Sequence, residues 1–298
     1  MNIKCQPKSK LNIFSKMDRS YKYYIGIVGG GFVGSATALL NCHDIKAITY
    51  DIDPKKCNPV GTTIHDLLAC DFTFVCVPTP SYESGQCNTT IVEKCITSLK
   101  EAGVKNIILR STVPPGTSRK LDVMFMPEFL TEANWRKDFF ECKQWIFGVR
   151  TFEEGEKLKD MMRIARICSS VHSDNVLLVG TEEAEMIKYT RNNFLATKVS
   201  FFNEIASVCK AVGADYEIVR QGVGSDSRIG ISHTVVPGPD GYKGFGGTCL
   251  PKDTNALVYF AKEAGVETPV ISAVVMRNTT IDRPERDWES DTRAFTKN

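Results

Sequence analysis

The sequence has no Cys-x-x-Cys pair, although it holds 11 cysteines, and its four histidines, His43, His65, His172 and His233, stand far apart. Zinc sites gather such ligands at short fixed spacings, so no resident metal is expected. The cysteines follow no periodic framework and are read as mostly free thiols in a reducing, cytoplasmic setting. Most of them serve as small buried filler. No stretch reaches the roughly 18 uninterrupted apolar residues of a membrane span, and no apolar secretory core follows the N-terminus. An excess of one charge is missing too: 37 Lys and Arg face 35 Asp and Glu, a net +2. No global field therefore draws the chain to nucleic acid, and no basic-aromatic stripe does so locally.

What is present is a globular composition, 42% hydrophobic over 298 residues, enough for about two domains. Residues 1–22 carry Lys4, Lys8, Lys10, Lys16, Arg19 and Lys22 against Asp18 and read as a flexible basic extension. The first ordered signal is YYIGIVGGGFVGSATALL, residues 23–40. A strand over 23–28 leads into Gly29, Gly31 and Gly34, and a helix follows. The first glycine permits a tight turn. The second lets a pyrophosphate approach the backbone, and the third brings helix against strand. Phe32 and Val33 belong to the same cofactor-binding loop, where helix N–H groups face the phosphates. A second strand, IKAITYD, ends at Asp51, whose carboxylate suits both ribose hydroxyls and repels a 2′-phosphate, so NAD is expected over NADP. Lys55 or Lys56 can sit beside the ribose or phosphates; Lys56 is taken as the contact.

Strand-helix alternation continues through DFTFVCV (71–77), TTIVEKCITSL (89–99), VKNIILRS (104–111), LDVMFM (121–126), WIFGV (145–149), a helix over 153–169 and VLLVG (176–180). Short, fully apolar strands between helices describe a parallel sheet covered on both faces. PTP (78–80), with Thr79, and STVPPGT (111–117), with Thr112, lie just past strand ends, where such folds hold their ligands. PEFLTE adds Glu128 and Glu132 at a similar edge. From Thr181 to Val212 there is neither proline nor glycine, and apolar residues recur at spacings of three and four. That predicts one helix of about 48 Å, a spine and a dimer element. Lys188 and Asn192 share a face of it; Asn192 and Asn193 run against helix propensity and invite a reason. Glu182, Glu185 and Glu204 read as surface charge. Two glycine-rich stretches follow, 222–230 and 233–247, in the manner of functional loops. Cys249 stands just before a helix opened by Pro251, where the positive helix end, helped by Lys252, is expected to lower its thiol pKa and favour a nucleophilic thiolate.

Seven ordered blocks, GIVGGGFVG, YDID, STVPPGT, PEFLTE, EAEMIKYTRNNFLATKVSFFNEIA, GVGSDSRIG and GFGGTCLPKDTNAL, together resemble the UDP-glucose 6-dehydrogenase family, within the UDP-glucose and GDP-mannose dehydrogenases. The resemblance implies an α/β fold: a Rossmann-type parallel-sheet NAD domain (23–180), then a long central helix and a helical dimerisation and catalytic domain (181–281). It implies oxidation of a sugar primary alcohol to the uronic acid with two NAD⁺ and one water, through a Cys249 thiohemiacetal and thioester. Carried over, Lys188, Asn192 and Asp253 are the polar set around Cys249. Thr112 and Glu128 serve water or acyl chemistry, and Glu132 is a cofactor-side residue. Arg228 reaches substrate in the neighbouring subunit of a homodimer, and Gly246 lines the substrate loop. STVPPGT and SDSRIG lean toward UDP-glucose; GDP-mannose or another sugar nucleotide is the alternative. The family's asparagine before PEFL is Met126 here, and the segment after the second strand is compact. The family also carries a further nucleotide-binding domain after this point. Here residues 282–298 read as a polar C-terminal tail, so a separate nucleotide-binding subunit, or a scaffold with little activity, is a second expectation. A dehydrogenase of small hydroxy acids is a third; it needs no thiol.

Overall fold

The computed structural model describes residues 20–297; most of the basic extension lies outside them. Seven strands form one sheet: β1 (Tyr23–Val28), β2 (Ile45–Tyr50), β3 (Phe72–Val75), β4 (Ile107–Leu109), β5 (Met124–Phe125), β6 (Trp145–Gly148) and β7 (Val176–Val179). Their order is β2-β1-β3-β4-β5-β6-β7. Every neighbouring pair is parallel except β5 and β6. The chain leaves β1 in one direction for β2 and returns across it to β3. The ends of β1 and β3 therefore flank the switch point at which such sheets bind ligands.

Side chains alternate along each strand, which sorts the apolar residues between two cores. Ile25, Ile27, Phe72, Phe74 and Ile108 face one side. It is covered by α1 (Phe32–Thr37), α4 (Trp135–Phe140) and α5 (Phe152–Ile167). Val28, Val75, Ile107 and Leu109 face the other, against α2 (Thr90–Glu101) and the start of α6 (Thr181–Val212). Between β2 and β3 the chain makes only short 3₁₀ turns, Pro54–Lys56 and Ile64–Ala69, which accounts for the compactness of that segment. A four-residue helix, α3 (Thr117–Lys120), follows STVPPG.

Helix α6 runs 32 residues, from a Gly180 N-cap to Gly213 at φ 74°. Glycine is suited to that left-handed position and closes the helix. Three shorter helices pack around its distal part: α7 (Tyr216–Gly224), α8 (Leu250–Glu263) and α9 (Pro269–Arg277). Helix α7 occupies part of a stretch read from sequence as loop. The polar segment after α9 is docked onto the sheet domain. Trp288 and Ala294 are buried. Ser81 donates its N–H to the Ala294 carbonyl at 2.8 Å, and Thr296 donates to the Ser81 carbonyl at 2.9 Å. No described helix is long and apolar enough to cross a membrane.

Candidate active site

The glycine turn is built as its spacing predicts, each glycine for a separate reason. A Cβ at Gly29, where φ is 100°, would lie 2.3 Å from the Cys76 carbonyl oxygen at the end of β3. A Cβ at Gly34 would lie 1.9 Å from the Gly29 carbonyl oxygen. Gly31 has nothing within 4 Å of its Cβ position, so the backbone there is open to a phosphate. Asp51, at the end of β2, accepts the Gly30 N–H at 2.6 Å and the Asp53 N–H at 2.8 Å. Its carboxylate is thereby held at the lip of the turn. Lys56 lies on the same lip, its Cβ 2.8 Å from where a Gly30 Cβ would be. Phe32 and Val33 open α1 behind Gly31. These groups fit a dinucleotide: an open backbone for the pyrophosphate and an acceptor for the ribose.

The second half of the site is a buried polar network. Lys188 and Asn192 lie one turn apart on α6, and both are buried. Lys188 Nζ donates to Glu128 Oε1 at 2.7 Å and to the Glu128 carbonyl at 2.6 Å. Glu128 Oε2 accepts the Leu130 N–H at 2.9 Å. Asn192 Nδ2 donates to Asp253 Oδ2 at 2.5 Å, and Lys252 Nζ reaches Asp253 Oδ1 at 2.5 Å. Burial by itself would raise the Glu128 carboxyl, but the charge and hydrogen bond of Lys188 hold it below its ordinary value. Burial likewise works against the Lys188 ammonium, and Glu128 and Asp253 override it. Two anions and two cations are thus fixed around one point.

Cys249 is that point. It is the N-cap residue of α8, where the sequence placed it, and its thiol feels Glu128, Lys188, Asp253 and Lys252. Its protonation differs from expectation. Burial, with Glu128 and then Asp253 adding to it, pushes the thiol pKa up, while Lys188 and Lys252 oppose. Desolvation and two carboxylates hold the thiol up, the opposite direction to that expected from the helix end.

The remaining sequence-predicted residues are placed unevenly. Thr112, buried past β4, offers its carbonyl to the Cys87 thiol at 3.8 Å. Thr79 touches the same thiol. Cys87 faces Lys252 and Asp253, so both threonines line the floor of the network. Gly246 packs on Arg283, whose guanidinium carbon would lie 2.4 Å from a Cβ there. Glu132 is exposed and pairs with Arg293 of the docked segment at 2.7 Å. Arg228, expected to act on the neighbouring subunit's substrate, is exposed, with its side chain folded back onto Asp226.

Further polar residues hold the site together. Asn193 donates to the Tyr189 carbonyl at 2.8 Å and to the Asp253 carbonyl at 3.3 Å, which gives the second helix asparagine its reason. Asn203 accepts the Gly244 N–H at 3.2 Å, and Asn278 brackets Phe245 with bonds of 2.8 and 2.9 Å. These two asparagines hold the loop that leads to Cys249. Glu185, read as surface charge, is fully buried. It accepts the Gly116 and Ser118 N–H groups at 2.6 and 2.8 Å. Its place three residues before Lys188, on the same helix face, was the available signal.

Burial pushes the Glu185 carboxyl up from 4.5 to about 7, against the lowering effect of those N–H donors. A folded-state carboxyl raised in this way favours the folded chain fully below 4.5, and that contribution is lost as pH rises to about 7. The urea midpoint should therefore fall across that window, and Glu185→Gln, which cannot ionise, should flatten the fall. An equal slope in the variant would remove Glu185 as its source.

Two family models match the chain: the NAD binding domain of the UDP-glucose/GDP-mannose dehydrogenase family over residues 60–166, and the central domain of the same family over residues 182–280. A UDP-glucose 6-dehydrogenase of Bacillus subtilis is 35% identical over 226 residues, 70% of this chain and 46% of the relative. A UDP-glucose 6-dehydrogenase of Pseudomonas aeruginosa is 32% identical over 249 residues, 76% of this chain and 52% of the relative. The chain thus spans about half the length of these curated relatives. Among solved structures, a UDP-glucose dehydrogenase from Pyrobaculum islandicum superposes with a TM-score of 0.75 at 26% identity, covering 87% of this chain and 68% of that one.

Proposed function

Because the chain belongs to the UDP-glucose/GDP-mannose dehydrogenase family, we propose that it oxidises the primary alcohol of a nucleotide sugar to a carboxylate, with UDP-glucose as the sugar nucleotide and Cys249 as the covalent nucleophile. The observation that carries this reading is the convergence of Glu128, Lys188, Asp253 and Lys252 on the Cys249 thiol. A dehydrogenase that stops at one oxidation needs no buried thiol. One that continues to the acid gains a way to hold the aldehyde.

Gly29–Gly34 and Asp51 would hold NAD⁺, which would supply the hydride-accepting chemistry for each of the two oxidations. The protein does the rest. Cys249 Sγ adds to the aldehyde carbon, forming a C–S bond as the C=O π pair moves to oxygen; that oxygen takes up the proton the thiol gives up, and the thiohemiacetal stays in the site. At the thioester stage water adds to the same carbon and the C–S bond breaks, returning the electron pair to sulfur. Glu128, ionised because Lys188 holds it so, takes a proton from that water. Asp253 and Thr112 help to orient the water. Lys188 and Asn192 face the oxygen that becomes negative, where one donor is worth about 3 kcal/mol. The net change removes four electrons and takes its second oxygen from water.

The test mixes purified protein, NAD⁺ and UDP-glucose. Two NADH should appear for each UDP-glucuronate found by mass. One NADH per product would indicate a simple alcohol dehydrogenase. NAD binding without turnover on UDP-glucose or GDP-mannose would indicate a scaffold, or a site completed by another subunit.

The same reading includes a homodimer along α6. Phe194, Phe201 and Val208 repeat every seven residues and are 65%, 55% and 53% exposed. Ile218 on α7 and Val270 on α9 are exposed as well. A stripe of this extent suits a second copy better than water. Sedimentation velocity should give a dimer at micromolar concentration, and Phe201→Glu should shift it to monomer. A monomeric wild-type chain would end this part of the proposal.

A further inference from the structure

At the end of the sheet opposite the cofactor turn, the neighbouring Cys42 and His43 meet Cys168, 125 residues further along the chain than His43. Cys42 and His43 lie in the turn between the end of the α1 segment and β2, and Cys168 caps α5. The two sulfur atoms and a ring nitrogen of His43 all lie within 4.8 Å of one another. His43 Nε2 is 4.0 Å from Cys168 Sγ and 3.1 Å from Asp44 Oδ2. Both cysteine backbones are pinned: Cys42 donates its N–H to the Ile45 carbonyl at 2.8 Å, and Cys168 donates to the Ile164 carbonyl at 2.9 Å. Both side chains pack against the apolar core, so neither thiol is free to swing away.

We propose that Cys42, His43 and Cys168 form a binding site for a thiophilic divalent cation of the zinc class, with the fourth position open to water or to Asp44. Two thiolates and an imidazole select zinc-like ions over calcium or magnesium, which take oxygen ligands. Around a tetrahedral zinc the ligand atoms stand roughly 3.5 to 3.8 Å apart, given its bond lengths to sulfur and nitrogen. The ligand atoms, all within 4.8 Å of one another, close onto an ion by drawing together by up to about 1 Å. Binding displaces the two thiol protons to solvent and changes no oxidation state. The six residues of β1 separate this end from the glycine turn, about 20 Å of strand, so the site is distinct from the Cys249 network. A bound ion would clip the end of α5 to the start of β2, joining two elements otherwise linked through the core.

The experiment titrates Co²⁺ into the reduced protein and reads the thiolate-to-cobalt charge-transfer band, then displaces Co²⁺ with Zn²⁺. One equivalent should saturate the band. Cys42→Ser and Cys168→Ser should each abolish it, while Cys249→Ser should keep it. His43 is 72% exposed at its side chain, so His43→Ala leaves the fold intact; it should weaken binding by about tenfold or more. Zn²⁺ should also raise the thermal midpoint of the wild-type chain and not that of Cys168→Ser. No thiolate band at one equivalent overturns the proposal, and so does a band that persists in the Cys42→Ser/Cys168→Ser double variant. A Cys42–Cys168 disulfide that survives reductant, seen by mass, would overturn it as well.

Discussion

Replacing Cys249 with alanine is expected to remove carboxylate formation from UDP-glucose by roughly a thousandfold or more, about 4 kcal/mol of barrier. NAD binding should stay near wild type. The expectation is specific because Cys249 makes no side-chain capping bond at α8, so alanine removes the proposed nucleophile without removing a helix cap. Circular dichroism and the thermal midpoint should therefore change little. Mass spectrometry of the wild-type chain quenched during turnover should show a sugar-nucleotide adduct on the peptide containing Cys249, absent in the variant. A full rate of acid formation in Cys249→Ala would end its assignment as nucleophile. The raised thiol pKa has its own consequence. Alkylation of Cys249 by iodoacetamide should be slow at neutral pH and accelerate beyond the range in which an ordinary thiol ionises, since only the thiolate reacts.

The second large effect is expected at Lys188. Lys188→Met leaves the Glu128 carboxylate buried without its cation, a change that typically costs about 3 to 5 kcal/mol. It also removes the donor proposed to face the developing oxyanion, worth about a hundredfold to a thousandfold in rate. The two losses separate in a double variant. Lys188→Met/Glu128→Gln has no stranded charge, so its urea midpoint should return most of the way to wild type while activity stays low. In the single variant Glu128 loses the partner that lowers it, and burial raises it above its unfolded value of about 4. Its stability defect should therefore be small in acid and grow as pH rises through the folded-state pKa. A defect that is constant with pH would mean that the loss comes from packing and not from the stranded carboxylate.

The long helix was legible to the residue because Gly180 and Gly213 bracket 32 residues without another glycine or a proline. The strands were legible as apolar runs, and the glycine turn through its spacing. In each case the signal is local. The network around Cys249 was legible in membership but not in state: its thiol was read from the helix end, whereas burial, together with carboxylates from α8 and from the loop carrying Glu128, raises it. Glu185 was missed because a glutamate in a helix is usually solvated, and only the fold brings the Gly116 and Ser118 N–H groups to it. The docking of Trp288 and Ala294 was hidden in a segment whose composition is polar. The segment is tied to the loop at Ser81, more than 200 residues away, and such pairings leave no periodicity in the sequence.

Helix α6 holds four loops at once. Glu185 and Lys188 grip Gly116, Ser118 and Glu128 on the sheet side. Lys198 holds the Ile229 and Gly230 carbonyls, and Asn203 holds Gly244. The separation of these grips is counted in residues along one rod: from Glu185 to Asn203 the rise is about 27 Å. Phase is counted in the same way. One residue inserted between Lys188 and Lys198 would lengthen the rod by only about 1.5 Å, but would turn every later grip by about 100° away from its loop. The helix thus works as a gauge block with an angular setting, intolerant of any change in the number of its residues.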